Sequence, residues 1–120
     1  MRVSFEVPGR QVATNSAYRA GRGGYWMTTE AKGFKDRIAY HAKLAMKGRK
    51  QFTVPIYVIV EYYFDSRRPD VDGPGKLALD ALQGICFQKD SLVISFSQIK
   101  ALDPENPRTE FVIGEIEDRP

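Results

Sequence analysis

The feature that most constrains the fold of this chain is the segment from residue 53 to residue 64, which is apolar on both of its faces. Side chains alternate along a strand, so one face would carry Ile56, Val58, Val60, Tyr62 and Phe64. The intervening residues would form the other face, where a single glutamate interrupts the apolar character. A strand of this kind has to be covered on both sides, which predicts a central position in a sheet.

Alternation of apolar and polar residues marks three further strands. It predicts one strand over residues 2–7 and two more over residues 92–100 and 109–116. The last two are separated by a polar connection with two prolines. Such a connection is typical of a loop, and it favours an antiparallel hairpin between the two strands.

Apolar residues spaced by three and four predict two helices. One begins at Thr28 or Thr29 and ends near Lys47, and the other runs from about Pro74 to Gln83. The resulting order is β-α-β-α-β-β. It predicts an α+β fold of two layers, in which two helices pack against one face of a small mixed sheet.

Length and composition predict a single domain, residues 1–120, with 42% hydrophobic residues. No apolar run approaches the roughly 20 residues that cross a bilayer, and the first residues lack the apolar stretch of a secretion signal. We therefore expect a cytoplasmic protein without a membrane segment. A single cysteine and a single histidine exclude a Cys/His zinc cluster, so any metal would be held by oxygen.

The charge is distributed unevenly. Residues 1–50 carry 11 Lys/Arg against 3 Asp/Glu, a net +8, whereas residues 51–120 carry 7 against 12, a net −5. Lysine and arginine neutralise phosphates, so the first half predicts an attraction to a polyanion such as DNA. The alternative is that both halves simply present solvated charged faces.

Residues 10–27 show neither the helical nor the strand period, and we predict a long mobile loop there. The segment mixes arginines, glycines and aromatic residues, a composition that suits phosphate contact and base stacking. The alternative is that Tyr25 and Trp26 pack over the helix that follows.

Asp70 and Asp72 follow the central strand closely. On an extended backbone, carboxylates two residues apart point to the same side. Lys76 comes one helical turn later, and Asp90 adds a further acid. Mg²⁺ takes a few carboxylates, retains several waters and supplies the charge neutralisation that phosphodiester hydrolysis needs. The pattern predicts a metal-dependent nuclease site.

Parts of this pattern also have a structural interpretation. Asp72, Lys76 and Asp80 stand at steps of four, so they can form ion pairs along a helix. This would explain Asp80 but not Asp70, which lies outside the predicted helix. A calcium loop starting at Asp70 is excluded, because its fifth and twelfth positions hold a proline and an alanine.

The larger pattern consists of Asp70-Val71-Asp72, Lys76, Asp80-Ala81-Leu82 and Lys89-Asp90-Ser91-Leu92-Val93. This pattern resembles the RusA family of Holliday junction resolvases. The resemblance extends over most of the chain, because the segment from Pro8 through Asn15-Ser16-Ala17-Tyr18-Arg19 to Phe34-Lys35 is also similar to that family.

The resemblance implies a homodimeric endonuclease that depends on Mg²⁺, with Mn²⁺ as a substitute, and that nicks four-way DNA junctions symmetrically. Asp70, Asp72 and Asp90 match the family's metal ligands, and Lys76 matches a required lysine. We expect further contacts with branched DNA from Asn15, Tyr18, Arg19, Arg22, Lys35, Arg67 and Arg68.

The chain departs from the family pattern at two places. It has Gly73-Pro74 where the family usually has an asparagine after the second aspartate, and Lys89 stands where an acid is common. Alignment on Val93 makes Asp90 the retained acid, whereas the other register would place Ser91 at the catalytic position. Two alternatives therefore stay open, a nuclease for flaps and other branched DNA and a catalytically silent junction-binding protein.

Overall fold

A computed structural model describes all 120 residues and places the predicted central strand inside a four-stranded mixed sheet. The strands are β1 (Arg2–Pro8), β2 (Tyr18–Gly21), β3 (Gly24–Met27), β4 (Ile56–Phe64), β5 (Val93–Leu102) and β6 (Arg108–Glu115). The helices are α1 (Thr29–Ala45) and α2 (Gly75–Leu82). The large sheet has the order β1-β6-β4-β5, and β2 and β3 form a separate pair. The predicted α+β class is confirmed.

β4 is an interior strand of the sheet, because it has a hydrogen-bonded neighbour on each side. It pairs antiparallel with β6 and parallel with β5. The face predicted for the core is fully covered, since Ile56, Val58, Val60, Tyr62 and Phe64 are all buried. They belong to one cluster of 22 buried residues that also contains side chains of both helices. The two helices therefore cover the same face of the sheet.

α1 starts at the position that the sequence predicted. Of the two candidate caps, Thr28 is the one used, and its Oγ1 accepts a hydrogen bond from the Ala31 backbone amide at 3.2 Å. The helix buries Ala31, Phe34, Ile38 and Ala42, which are spaced by three and four. No helix of this structure is both long enough and apolar enough to span a membrane.

The predicted hairpin between the last two strands is wrong. β5 and β6 do not pair with each other, because β4 lies between them. β5 runs parallel to β4, and a parallel pair needs a crossover, which the segment containing α2 supplies. The prolines of the connecting loop indicated where β5 ends, but they carried no information about which strand it pairs with.

The predicted loop over residues 10–27 is only partly irregular. Residues 18–21 and 24–27 form a short antiparallel hairpin, with Gly23 in its turn and Gly24 at the start of β3, both at positive φ. Glycine tolerates such φ values because it has no Cβ. Strands of only four residues, each containing one glycine, give no alternating pattern, so the sequence did not indicate this hairpin.

The sheet face away from the helices carries a polar network around Arg108. Its guanidinium lies 2.9 Å from Asp103 Oδ2 and from Glu110 Oε2, and 3.7 Å from the centre of the Tyr63 ring. These contacts hold the pKa of Arg108 above its usual value, chiefly through the hydrogen bond to Glu110. The acids of this network are thus neutralised within the protein and are separate from those considered below.

Candidate functional site

Asp70 and Asp72 lie in the loop between β4 and α2, but not on an extended backbone as predicted. The Gly73 amide donates to the Asp70 carbonyl and the Gly75 amide to the Asp72 carbonyl, both at 3.1 Å. Two turns thus follow each other, favoured by the Gly73-Pro74 pair. Asp72 uses its carbonyl and not its carboxylate at the helix start, so the carboxylate is not consumed as a cap.

Lys100 of β5 fixes the loop that leads to the two aspartates. Its Nζ donates to the carbonyls of Arg67 and Pro69, both at 2.6 Å, and lies 6.0 Å from the centre of the Phe64 ring. A lysine can satisfy several acceptors at once because its ammonium carries three donors. The loop therefore folds back along β5, and this brings Asp70 and Asp72 over the sheet.

On one side, Asp70 and Asp72 line a cavity of about 360 Å³ together with Asn15. The segment before Asn15 reaches this position because the Thr14 amide donates to the Gly73 carbonyl at 2.8 Å. The Thr14 hydroxyl is buried at the wall of the same cavity and makes no hydrogen bond within the protein. An unpaired buried hydroxyl indicates that this cavity suits a polar occupant.

On the other side, Asp72 lines a groove of about 270 Å³ between α2 and β5. The groove is lined by Asp72, Gly75, Lys76, Leu79, Asp80, Gln83, Asp90, Phe96 and Gln98. Residues 72, 76, 80 and 83 lie at spacings of three and four, so the groove follows one face of the helix. Asp90, at the start of a short turn before β5, joins the groove after the helix has ended. Asp72 is the residue common to the groove and the cavity.

The acids of this region differ in whether a cation already neutralises them. Asp80 Oδ2 lies 3.5 Å from Lys76 Nζ, which is the ion pair that the spacing predicted. Asp70, Asp72 and Asp90 are exposed and form no ion pair. Three unneutralised carboxylates around neighbouring cavities create a negative potential that attracts cations.

The groove floor contains a hydrogen bond that the sequence did not indicate. The Tyr62 hydroxyl donates to Gln98 Oε1 at 2.7 Å, and the amide nitrogen of Gln98 makes no hydrogen bond within the protein. Burial, and to a lesser extent the charge of Asp72, raise the pKa of Tyr62, so this hydroxyl stays protonated. A Cβ at Gly75 would lie 2.6 Å from Gln98 Oε1, so a larger residue at the helix start would have to displace the Gln98 side chain.

The donor set fits Mg²⁺ in its chemistry. Mg²⁺ commonly takes one or two carboxylates, while phosphates and waters complete its shell. The structure does not gather all three predicted ligands into one cluster, since no group of three or more Asp, Glu, His or Cys side chains converges closely enough to hold a metal ion. Asp70 and Asp90 instead line different cavities, and Asp72 lines both.

The other residues predicted to contact DNA surround the acids to different degrees. Asn15 and Lys76 line the cavity and the groove directly. Tyr18 and Arg19 lie on β2, and Arg22 lies in the turn that follows. Arg67 and Arg68 are exposed in the loop before Asp70, and Lys35 lies half-buried on α1, in no ion pair.

The largest cavity, about 590 Å³, lies elsewhere, between residues 9–13 and α1. Its two arginines already have partners within the protein. Arg37 donates to the carbonyls of Pro8 and Arg10 at 3.2 and 2.8 Å, and Arg10 Nε lies 2.7 Å from Asp65 Oδ2. These contacts hold the start of the loop in place, and the cavity brings no reactive groups together.

Sequence reasoning missed Gln98, Lys100 and Tyr62 as parts of the site. One signal was present, because Gln98 and Lys100 are polar residues at strand positions that should share the core-facing side with Phe96. Two successive polar residues on that side indicate that the core ends there and that something polar lies above the strand.

Comparison with known proteins adds one match. A family model described as endodeoxyribonuclease RusA matches residues 8–114. No curated protein matches the sequence.

Proposed function

Because the chain belongs to the RusA endodeoxyribonuclease family, whose members resolve Holliday junctions, we propose that it is a Mg²⁺-dependent nuclease that resolves four-way DNA junctions by paired symmetric nicks. The observation that carries the proposal is the position of Asp72. Its carboxylate has no cation partner, and it lines two adjoining cavities that also contain Asp70 and Asp90. Such an enzyme works where the DNA is, so we place it in the cytoplasm.

Asp72, together with Asp70 or with Asp90, would hold Mg²⁺, with Mn²⁺ as a substitute. The bound ion would supply charge neutralisation and an activated water for hydrolysis. The free amide nitrogen of Gln98 would donate to a phosphate oxygen or a water in the groove. The phosphate backbone on either side would contact Arg67, Arg68 and Lys35.

Lys76 would orient the scissile phosphate. Its side chain is 74% exposed, and its ion pair with Asp80 is long at 3.5 Å, so the ammonium can exchange this partner for a phosphate at little cost. Asp80 would then keep the lysine over the groove in the absence of DNA. Lysine suits this role because its ammonium is a point charge on a flexible stem.

The test is cleavage of a synthetic four-way junction. In Mg²⁺ we expect symmetric nicks that Asp72→Asn abolishes while junction binding is retained, since the substitution removes a ligand charge but preserves the shape of the side chain. Asp36→Asn is the matched control, because Asp36 is an exposed carboxylate on α1 that forms no ion pair. Nicking that survives Asp72→Asn, or that is lost equally in Asp36→Asn, would contradict the assignment.

One alternative has an observation in its favour. Asp90 is not clustered with Asp70, and Lys89 stands where the family commonly has an acid, so the chain would suit a junction-binding protein without catalysis. Junction binding without any nicking in either metal would support that function. Faster cutting of flaps than of four-way junctions would indicate a broader nuclease for branched DNA.

A further inference from the structure

The hairpin formed by residues 18–27, here called the aromatic ribbon, exposes half or more of three large aromatic side chains. Tyr25 is 81% exposed, and Tyr18 and Trp26 are each 50% exposed. The alternative, in which Tyr25 and Trp26 merely pack over α1, is therefore wrong for Tyr25. Exposed aromatic surface of this extent, concentrated on one short element, marks a binding surface.

Trp26 is held in place on the aromatic ribbon. It pairs across the strands with Arg19, and its ring lies against Gly21, where a Cβ would collide with the six-membered ring. Gly21 therefore leaves space for the indole, and the exposed half of the ring is presented to solvent. A flat ring fixed in this way is preorganised for stacking, because little side-chain freedom remains to be lost on binding.

The two faces of the aromatic ribbon carry different aromatic residues. Alternation along the strands puts Trp26 and Arg19 on one face and Tyr25 and Tyr18 on the other. The ribbon also contains Arg22 in its turn and no acidic residue. Aromatic rings combined with arginines and without acids match single-stranded nucleic acid, whose bases stack on the rings while its phosphates meet the cations.

The aromatic ribbon is rooted beside the acids. The Thr28 amide donates to the Ala17 carbonyl at 2.7 Å and closes the base of the ribbon. Three residues before Ala17, the Thr14 amide donates to the carbonyl of Gly73, which follows Asp72. A ribbon of four residue pairs extends about 13 Å from its base at roughly 3.3 Å per residue. This distance corresponds to about four steps of 3.4 Å along a DNA strand.

We propose that the aromatic ribbon stacks on bases whose faces are exposed at the branch point of the DNA, with Trp26 and Tyr25 as the stacking residues. This inference rests on the proposed function. It adds the feature by which the protein would distinguish branched DNA from duplex, which is the accessibility of base faces. Inside a duplex both faces of a base are covered by its neighbours. At a branch point bases become accessible, and stacking there requires no unpairing of the duplex.

Trp26 is the only tryptophan in the chain, so its fluorescence reports on the aromatic ribbon alone. Titration with a four-way junction, a single-stranded oligonucleotide and a fully paired duplex of equal length compares the three ligands, in the presence of Ca²⁺ to prevent cleavage. We expect quenching by the first two and little by the duplex. Equal quenching by all three, or none by any, would overturn the proposal.

Affinity for the junction gives the second measurement. Tyr25→Ala should raise the Kd for the junction by about 5- to 150-fold and leave the Kd for duplex nearly unchanged, as expected for the loss of one stacked base. Trp26→Ala should behave alike and Trp26→Phe should restore most of the affinity. The control is Tyr40→Ala, because Tyr40 is a 59% exposed tyrosine on α1, outside the ribbon.

Tyr25 is so exposed that replacing it should leave the core packing unchanged. Tyr25→Ala therefore tests the proposal even if the Trp26 variants fold poorly. Wild-type affinity and a wild-type preference for the junction in Tyr25→Ala would overturn the stacking role. Nicking of the junction by the wild type is scored separately. If the wild type does not nick but the ribbon is quenched selectively, the nuclease proposal fails and the stacking proposal stands.

Discussion

At the level of single residues, the chemistry-bearing positions were the most accessible to sequence reasoning. Asp70, Asp72 and Lys76 stand close together in the chain, so local spacing alone predicted that they share one region. Gln98 and Lys100 belong to a distant strand, and their part in the site depends on the pairing of β5 with β4. Their contribution could not be predicted without that pairing.

Cys86 leads to a prediction about pH. Burial raises the pKa of its thiol from 9.0 to about 12. The folded state therefore disfavours the thiolate, and the associated stability is complete below pH 9 and is lost as pH rises from 9 towards 12. Between pH 8 and pH 10 we expect Cys86 to account for a loss of about 1.4 kcal/mol in the free energy of unfolding.

Chemical denaturation at both pH values measures this loss. The comparison is with Cys86→Ala, which should start from a lower stability because of its cavity but show a smaller decrease with pH. A second sign is that the native thiol reacts slowly with thiol reagents at pH 8, since the thiolate is the reactive form. The same pH dependence in both proteins would contradict the assignment.

At the level of elements, predictions succeeded where a pattern is local and failed where it depends on a distant partner. The two apolar faces of β4 predicted its central place, and the spacing in α1 predicted its buried face. The strand β5 was recognised, but its neighbour was not, because alternation within a strand is the same whichever strand it joins. The aromatic ribbon was missed because its four-residue strands contain no apolar alternation.

Lys100 acts as a clamp between β5 and the acidic loop, the segment that leads from β4 to Asp70 and Asp72, and this clamp gives a prediction. Lys100→Met removes two hydrogen bonds to the loop carbonyls but keeps the length of the side chain. Asp70 and Asp72 should then be held less well, and a displacement of about 1 Å can lower a rate by about 100-fold. We expect nicking at saturating junction to fall by about 10- to 100-fold while the Kd for the junction changes by less than about threefold.

Lys43→Met is the control for this clamp, because Lys43 is an exposed lysine on α1 in no ion pair. Thermal unfolding shows whether Lys100→Met remains folded. Because Lys100 acts as a positioning residue, the informative comparison is between the change in the nicking rate and the change in the Kd for the junction. A loss confined to affinity would indicate a direct DNA contact, and an unchanged rate would show that the loop needs no clamp.

At the level of the whole molecule, the charge asymmetry corresponds to a spatial division. The basic first half forms the aromatic ribbon and α1, and the second half supplies the acidic loop and groove. DNA drawn to the basic half would therefore meet the acids where Thr14 and Asn15 contact the loop. A four-way junction has two-fold symmetry, and a two-fold protein would place one such site at each of two strands.

A mixed dimer tests this symmetry. The purified protein should have a solution mass of about twice 13.6 kDa by light scattering. Dimers that combine one wild-type chain with one Asp72→Asn chain should nick a cruciform plasmid on one strand and yield open circles. Wild-type dimers should yield linear DNA from paired nicks. Linear product from the mixed dimer, or a monomer that cuts both strands, would contradict the paired-site arrangement.

The pairing of β1 with β6 has a consequence for the order in which the fold is completed. Arg2 lies opposite Gly114 and Pro8 opposite Arg108, so β1 has its only strand neighbour at the far end of the sequence. Synthesis at about 5–20 residues per second separates the two strands by roughly 5–20 seconds. During that time β1 has no strand partner, and pairing over such a separation is slow. Thr14 and Asn15 follow β1 directly, so we expect the wall that they form beside the acids to be completed only after β6 has paired with β1.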